Sequence, residues 1–425
     1  MRVSLRVRLS AMFFLQFTVP GAWVTVLWPY LVGAPEAGGA GFSDAQAALA
    51  YGIFGLATLV GPLVGGQVAD RWVPTQWFLA TAYTVSGVAL LVAATQTSFG
   101  VFVALWAVYA VLAGAATPLT NSLCFHHLRD VERQFGGVRV FGTLGFIAAG
   151  FGLSAWRWVV TSGGGAPVRA DCVALAGLCS LAMGIFCTCL PHTPPHQSGA
   201  RRWALMEVAA LCRRASFRNF VLLVFVAAIG FQFYYVATSE FLERGLGVAR
   251  EYVPGVMTTG QIAEVFSTLL LFPVLLPLLG VRRALVLGAF AWALRFLIFA
   301  CHTWVGMWVV VGSLALHGIG FPFFFLVSQL YANRAAPPDA RGSAQALMVV
   351  VFGVGSFAGT QLTGRVLSFF SHTATIDGVS QVVRHWSWVF LIPCAIAAAC
   401  AVAFLVFFDD ADDAEDGKSQ TPNPK

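Results

Sequence analysis

Twelve apolar stretches recur along the chain, each of about 20 residues, the length a helix needs to cross a bilayer core. They fall near 11–33, 46–68, 77–96, 99–120, 139–160, 171–190, 218–240, 254–278, 283–301, 304–331, 342–369 and 386–407. No other feature limits the fold as strongly. In lipid every backbone amide must find its partner inside the protein, so such segments are helices. Composition agrees: charged residues make up only 10% of the 425 positions, far below the roughly 25% of a soluble domain. The reading is an all-α integral membrane protein of twelve transmembrane helices, six before and six after the basic segment 191–217. Prolines 20, 62, 118, 273, 277, 322 and 393 lie inside the apolar stretches, where neighbouring helices absorb the lost hydrogen bond.

The expected parts are a first six-helix half at 1–190, a cytoplasmic central loop at 191–217, a second half at 218–408 and a disordered acidic tail at 409–425. The first stretch follows Met1–Arg8 without a small-residue cleavage site and is expected to remain as helix one. Lys and Arg set the orientation. With the N-terminus in the cytoplasm, 18 of the 25 basic residues fall on the inner side and 6 on the outer, Arg295 lying within a span. Both termini are then cytoplasmic, in a bacterial inner membrane. The formal charge of +6 therefore reports topology, and no nucleic-acid partner is expected. Nine cysteines lie mostly in apolar stretches. They read as packing residues, and no metal site or cofactor is expected.

Several residues could carry chemistry. Glu264 lies in Thr259-Gly-Gln-Ile-Ala-Glu264, one turn into an apolar segment. A carboxylate there is costly and should face a cavity with a partner; Gln261, at i−3, shares its face. Arg139, Thr143 and Phe146 fall at i, i+4 and i+7 and offer a cation, a hydroxyl and a stacking ring. Arg139 opens the fifth span in this reading, so it also suits a cytoplasmic anchor. Gln232 and Tyr235 form a polar and aromatic patch that also suits interfacial anchoring. Gly66, Asp70 and Arg71 form Gly-x-x-x-Asp-Arg after the second span, a candidate conformational latch or an ordinary charged turn. Arg295 is a charge within a span. His317 could titrate, but met alone it reads rather as a hydrogen bonder between helices. No Walker loop, His-Glu-x-x-His or paired-carboxylate motif occurs, and an enzyme is not expected.

The blocks Phe14-Leu-Gln-Phe17, Gly21-Ala-Trp23, Ala69-Asp-Arg-Trp72, Arg139-Val-Phe-Gly-Thr-Leu-Gly-Phe-Ile147, Gln261-Ile-Ala-Glu264, Trp292-Ala-Leu-Arg-Phe296 and Ala340-Arg-Gly-Ser-Ala-Gln345 resemble the nucleoside:proton symporter family of the major facilitator superfamily. The likeness runs nearly end to end. It implies the major facilitator fold and proton-coupled nucleoside uptake by alternating access, with a nucleoside bound between the halves. Arg139, Thr143 and Phe146 would contact it from the first half, and Gln232, Tyr235, Gln261 and Glu264 from the second. Glu264 would couple the proton, and a monomer in the lipid bilayer is expected. Two positions depart from the family pattern. Pro322 stands where an acid is common, and Tyr235 where an Asn is found. They keep open a symporter for another polar solute, such as a sugar or a modified nucleoside. A membrane sensor that binds a nucleoside without moving it is a further alternative.

Overall fold

A computed structural model describes residues 4–128, 130–165, 170–194, 212–337, 341–376 and 379–408. Most of the central loop and the acidic tail thus lie outside the described residues. Helix α1 (Leu5–Trp23) is capped by Ser4, whose hydroxyl accepts from Val7 N. The chain breaks at Val24–Val26, just after Pro20 and Gly21, and resumes in α2 (Leu27–Val32). Ser43 opens α3 (Asp44–Arg71) with a capping box, its hydroxyl accepting from Gln46 N while Gln46 Oε1 accepts from Ser43 N. This satisfies two amides that a helix start otherwise leaves unpaired. Then follow α4 (Thr75–Ala93), α5 (Phe99–His127), α6 (Val131–Ser162), α7 (Asp171–Cys187) and α8 (Ala215–Glu240).

Beyond α8 the helices are interrupted. A π turn, Phe241–Gly245, ends α8; α9 (Val253–Met257) and α10 (Thr259–Phe266) lead through a second π turn, Ser267–Leu271, into α11 (Phe272–Ala300). Residues 253–300 form one apolar run of 48 residues, which as a straight helix would reach about 70 Å, twice a bilayer core. It is not straight: Gly280 sits at φ 72°, ψ 178°, which ends helical geometry there. Helices α12 (Met307–Ser313) and α13 (His317–Phe321), the π turn Pro322–Leu326 and α14 (Val327–Ala335) form another run, followed by α15 (Arg341–Phe369) and α16 (Trp386–Phe407). Among the described residues ten helical segments are long and apolar enough to cross a membrane, and α7 is a shorter apolar helix.

The all-α expectation is corrected between α15 and α16. Strands β1 (Ser371–Ile376) and β2 (Val379–Arg384) pair antiparallel, with Ser371 opposite Arg384 and Ile376 opposite Val379. The cause is local. Half of each segment is β-branched, Thr373, Thr375 and Ile376 in β1 and Val379, Val382 and Val383 in β2, and the two residues joining them in the sequence are Asp377-Gly378, the pair favoured in two-residue hairpin turns. The hairpin matters because it delivers Arg384.

Contacts divide the chain into two compact units. One comprises 1–199, 232–261 and 356–386, and the other 200–231, 262–355 and 387–425. Within the first, α1 packs on α6 and α7, α3 on α5, and α4 on α5 and α7. Its aromatic centre joins Trp23, Tyr51, Phe54, Trp106 and Tyr109. There Trp23 Nε1 donates to Tyr109 Oη at 2.8 Å and Trp106 Nε1 to the Ala50 carbonyl at 2.8 Å. Within the second, α11 packs against α13 and the Pro322–Leu326 turn, with the rings of Phe231, Trp292, Phe324 and Phe325 in tilted and edge-on contact.

Candidate functional site

Glu264 follows from its helix. Segment 259–266 is apolar on most sides, so its carboxylate has few ways to avoid lipid. It is 19% exposed, and its Oε2 lies 3.5 Å from Nε2 of the fully buried His317. Backbone packing decides this meeting. A Cβ on Gly318 would strike the Ala263 carbonyl, so only glycine lets α13 lie flush on α10. On the opposite edge of the imidazole, Arg295 Nη1 is 3.5 Å from Nδ1. Arg295 is completely buried and also lies 5.0 Å from the centre of the Phe296 ring. His317 is therefore no lone helix contact; it is the middle of a three-residue polar cluster. Sequence reasoning missed this because positions 264, 295 and 317 share no local period.

In the other unit, Arg139 stands two turns inside α6, because that helix begins at Val131. The helix therefore starts before the apolar stretch, and the segment ahead of Arg139 is polar but helical. Its guanidinium lies over Phe17, 4.2 Å from the ring centre, and 5.6 Å from that of Phe13. The contact is close because α1 and α6 touch backbone to backbone: a Cβ on Gly145 would strike the Phe14 carbonyl. Thr143 and Phe146 follow on α6, both half-buried. Gln232, half-buried on α8, donates from Nε2 to Ser356 Oγ at 2.7 Å. Tyr235 is half-buried, edge-on to Tyr234. Gln261 is 4% exposed, and its Oε1 has no hydrogen-bond partner among the described residues. A buried amide oxygen of this kind is unusual and suits a donor on a polar solute. Gly66, Asp70 and Arg71 end α3; their side chains lie outside the described residues.

A second charged cluster joins residues remote from one another in the sequence, and no motif announces it. Arg384, at the end of β2, directs its fork to Asp44, with Nη1 and Nη2 at 2.9 and 2.8 Å from the two carboxylate oxygens. Its Nε donates to both oxygens of Glu240 at 3.0 and 3.1 Å. Glu240, fully buried, also accepts from Trp28 Nε1 at 3.0 Å and from Arg244 at 3.1 Å. Burial alone would ease the proton off Arg384, but the two acids outweigh it and its pKa is raised further. Nearby, Arg157 and Asp171 form a buried bidentate pair at 2.6 and 2.7 Å, and Arg250 donates to the Ala37 carbonyl. Four of the six arginines that the charge count puts outside are thus held by an acid or a carbonyl. The cavity beside this cluster, lined by Tyr30, Arg157, Glu243 and Arg244, has a volume of about 40 Å³, far below the roughly 300 Å³ of a small-molecule pocket.

Among the described residues, ten long apolar segments with buried charges inside them define a multi-pass membrane fold. A crystal structure of the nucleoside transporter NupG superposes with a TM-score of 0.80 at 24% identity, over 95% of this chain and 99% of that one. A D-xylose-proton symporter does so with 0.71 at 14%, over 96% and 98%. Both are major facilitator folds. The chain belongs to the nucleoside H+ symporter family, whose model matches residues 1–413. It is 28% identical to YegT of Escherichia coli (strain K12) over 95% of this chain and 94% of that protein. It is 26% identical to the xanthosine permease of the same organism, over 96% of each.

Proposed function

We propose that this chain takes up nucleosides with protons, by alternating access, and that Glu264 is the proton-coupling group. The observation that carries this is a partly accessible carboxylate within an apolar helix, supported by a buried histidine. A charged group costs about 3 kcal/mol at the centre of a membrane helix, and a site that gains and loses a proton is the use that best explains its presence. Membership of the family supplies the substrate class. Gln261, with an unmatched buried acceptor, and Gln232 would hold polar edges of the nucleoside. Arg139, Thr143, Phe146 and Tyr235 would complete the site, and Gly66, Asp70 and Arg71 would latch one conformation.

The same proposal includes twelve spans in two six-helix halves. The run 253–300 counts as two, given its length and the break at Gly280, and α7 counts as one. The protein would sit as a monomer in a bacterial cytoplasmic membrane with both termini inside. Pro322 opens the π turn 322–326 and offers neither a proton nor a hydroxyl, and Tyr235 is bulky; both favour a narrower or altered solute preference within the class.

The test is accumulation of radiolabelled uridine and adenosine in inside-negative, outside-acidic proteoliposomes. Wild type should concentrate label, and Glu264→Gln should only equilibrate it. Accumulation that survives collapse of the pH gradient would overturn proton coupling.

A further inference from the structure

The chain lacks an acid at position 322, yet the second unit holds a histidine between a carboxylate and a guanidinium. Arginine has donors only, so across the 3.5 Å contact with Arg295 the imidazole Nδ1 must accept. A neutral imidazole then carries its single proton on Nε2. That is the nitrogen 3.5 Å from Glu264 Oε2. The ring cannot rotate freely. Phe231 and Phe321 stack on it with centroids at 5.9 and 5.5 Å and interplanar angles of 19° and 25°, and the Gly318–Ala263 contact fixes its helix. The charged groups acting on it are Glu264 and Arg295. A proton added at Nδ1 would break the bond from Arg295 and set two cations side by side without water.

Resting on the assignment of Glu264 as the proton site, we propose that His317 is a positioning residue held neutral in its Nε2–H tautomer by Arg295, and that it aims and stabilises the Glu264 carboxylate. The proton itself resides on Glu264. With Glu264 ionised, the cluster is a carboxylate and a guanidinium bridged by one neutral ring. When a proton from water on the acidic side binds Glu264, the carboxylate becomes a carboxylic acid and the cluster gains one positive charge. Nε2–H still faces the carboxyl group across the same 3.5 Å approach, so the residue stays aimed through the cycle. Release of that proton to water on the other side restores the first state. Histidine here takes the part that a second acid could not: a donor that does not compete for the proton.

The experiment compares His317→Gln, His317→Leu and Glu264→Gln with wild type in proteoliposomes, using radiolabelled uridine. It reads gradient-driven accumulation, its pH profile, and gradient-free counterflow as the measure of folded carrier. Glutamine places a non-titrating N–H where Nε2 stands, so His317→Gln should accumulate label with the wild-type pH profile. His317→Leu should retain counterflow but lose about tenfold in accumulation, its profile displaced by about one pH unit toward alkaline, since a carboxylate deprived of a donor releases its proton less readily. If His317→Gln is as uncoupled as Glu264→Gln, the histidine carries the proton and the proposal is overturned. If Glu264→Gln is uncoupled while His317→Leu matches wild type, the Glu264 assignment stands and the role of His317 falls. If Glu264→Gln still accumulates label, both fall together.

Discussion

Arg384 spends its whole fork on two acids at 2.8–3.1 Å, whereas His317 stands 3.5 Å from each of its two charged neighbours. The first cluster is saturated: Glu240 receives Arg384, Arg244 and Trp28 together. The second leaves its carboxylate partly open and joined through one neutral ring. Both are buried charges in an apolar protein, yet the physical demands differ. A cluster that must hold elements together benefits from short, bidentate bonds that fix every lone pair. A cluster that must exchange a proton needs a carboxylate that water reaches and whose two protonation states can both be accommodated. The contrast in geometry is what supports the proposal that the second cluster, and not the first, exchanges a proton.

Removing Arg384 should have the largest effect on stability. Arg384→Ala leaves Asp44 without its cation and Glu240 with Arg244 alone, which costs about 3–5 kcal/mol when one partner of a buried pair is lost. Thermal unfolding in detergent checks this, and a loss under about 1 kcal/mol, the value of an exposed pair, would place the cluster in water. Next come the two close helix contacts. Gly145→Val and Gly318→Val should each destabilise by about 1–3 kcal/mol, the usual cost of overpacking. Only Gly318→Val should also disturb the pH profile of uptake, because it alone pushes α13 and its histidine from α10. A shifted profile for Gly145→Val would erase the distinction between the two regions.

A smaller effect is expected at Gln261. Gln261→Ala should raise the KM for a transported nucleoside about tenfold, the value of one hydrogen bond near the upper end of the usual range, with stability nearly unchanged because no protein partner is lost at Oε1. The smallest expectation is a flat line. The pKa of Arg384 is raised by Asp44 and Glu240 despite burial, so its share of stability is present below its unfolded-state pKa and fades only as pH rises through a still higher folded-state value. The difference in melting temperature between wild type and Arg384→Met should therefore not change from about pH 7 to about pH 10. A slope there would mean that another group titrates within the cluster.

Much of the fold was legible because its cause is repetitive. A bilayer demands a long apolar run for every crossing, and each run announces itself within its own 20 or so residues. The hairpin was not read from the sequence, because its β-branched residues do not alternate and it lies between two strong helices. The helical turns ahead of Arg139 were not legible, because a polar segment beside an apolar one looks like a loop. The members of the charged clusters were harder. Asp44 and Arg384 are 340 positions apart and yet bonded, and no window joins them.

By itself the sequence determined that this is a membrane protein of many helices, that it resembles nucleoside:proton symporters, and that a carboxylate at 264 must have a use. Those conclusions follow from solvation, which acts residue by residue and needs no partner. Only the tertiary structure decided that His317 stands beside Glu264, that Arg295 lies on the other edge of the ring, and that Arg384 is committed to Asp44 and Glu240. Hydrogen bonds and ion pairs depend on distances of a few tenths of an ångström between remote segments, and glycine contacts such as Gly318 on Ala263 set those distances.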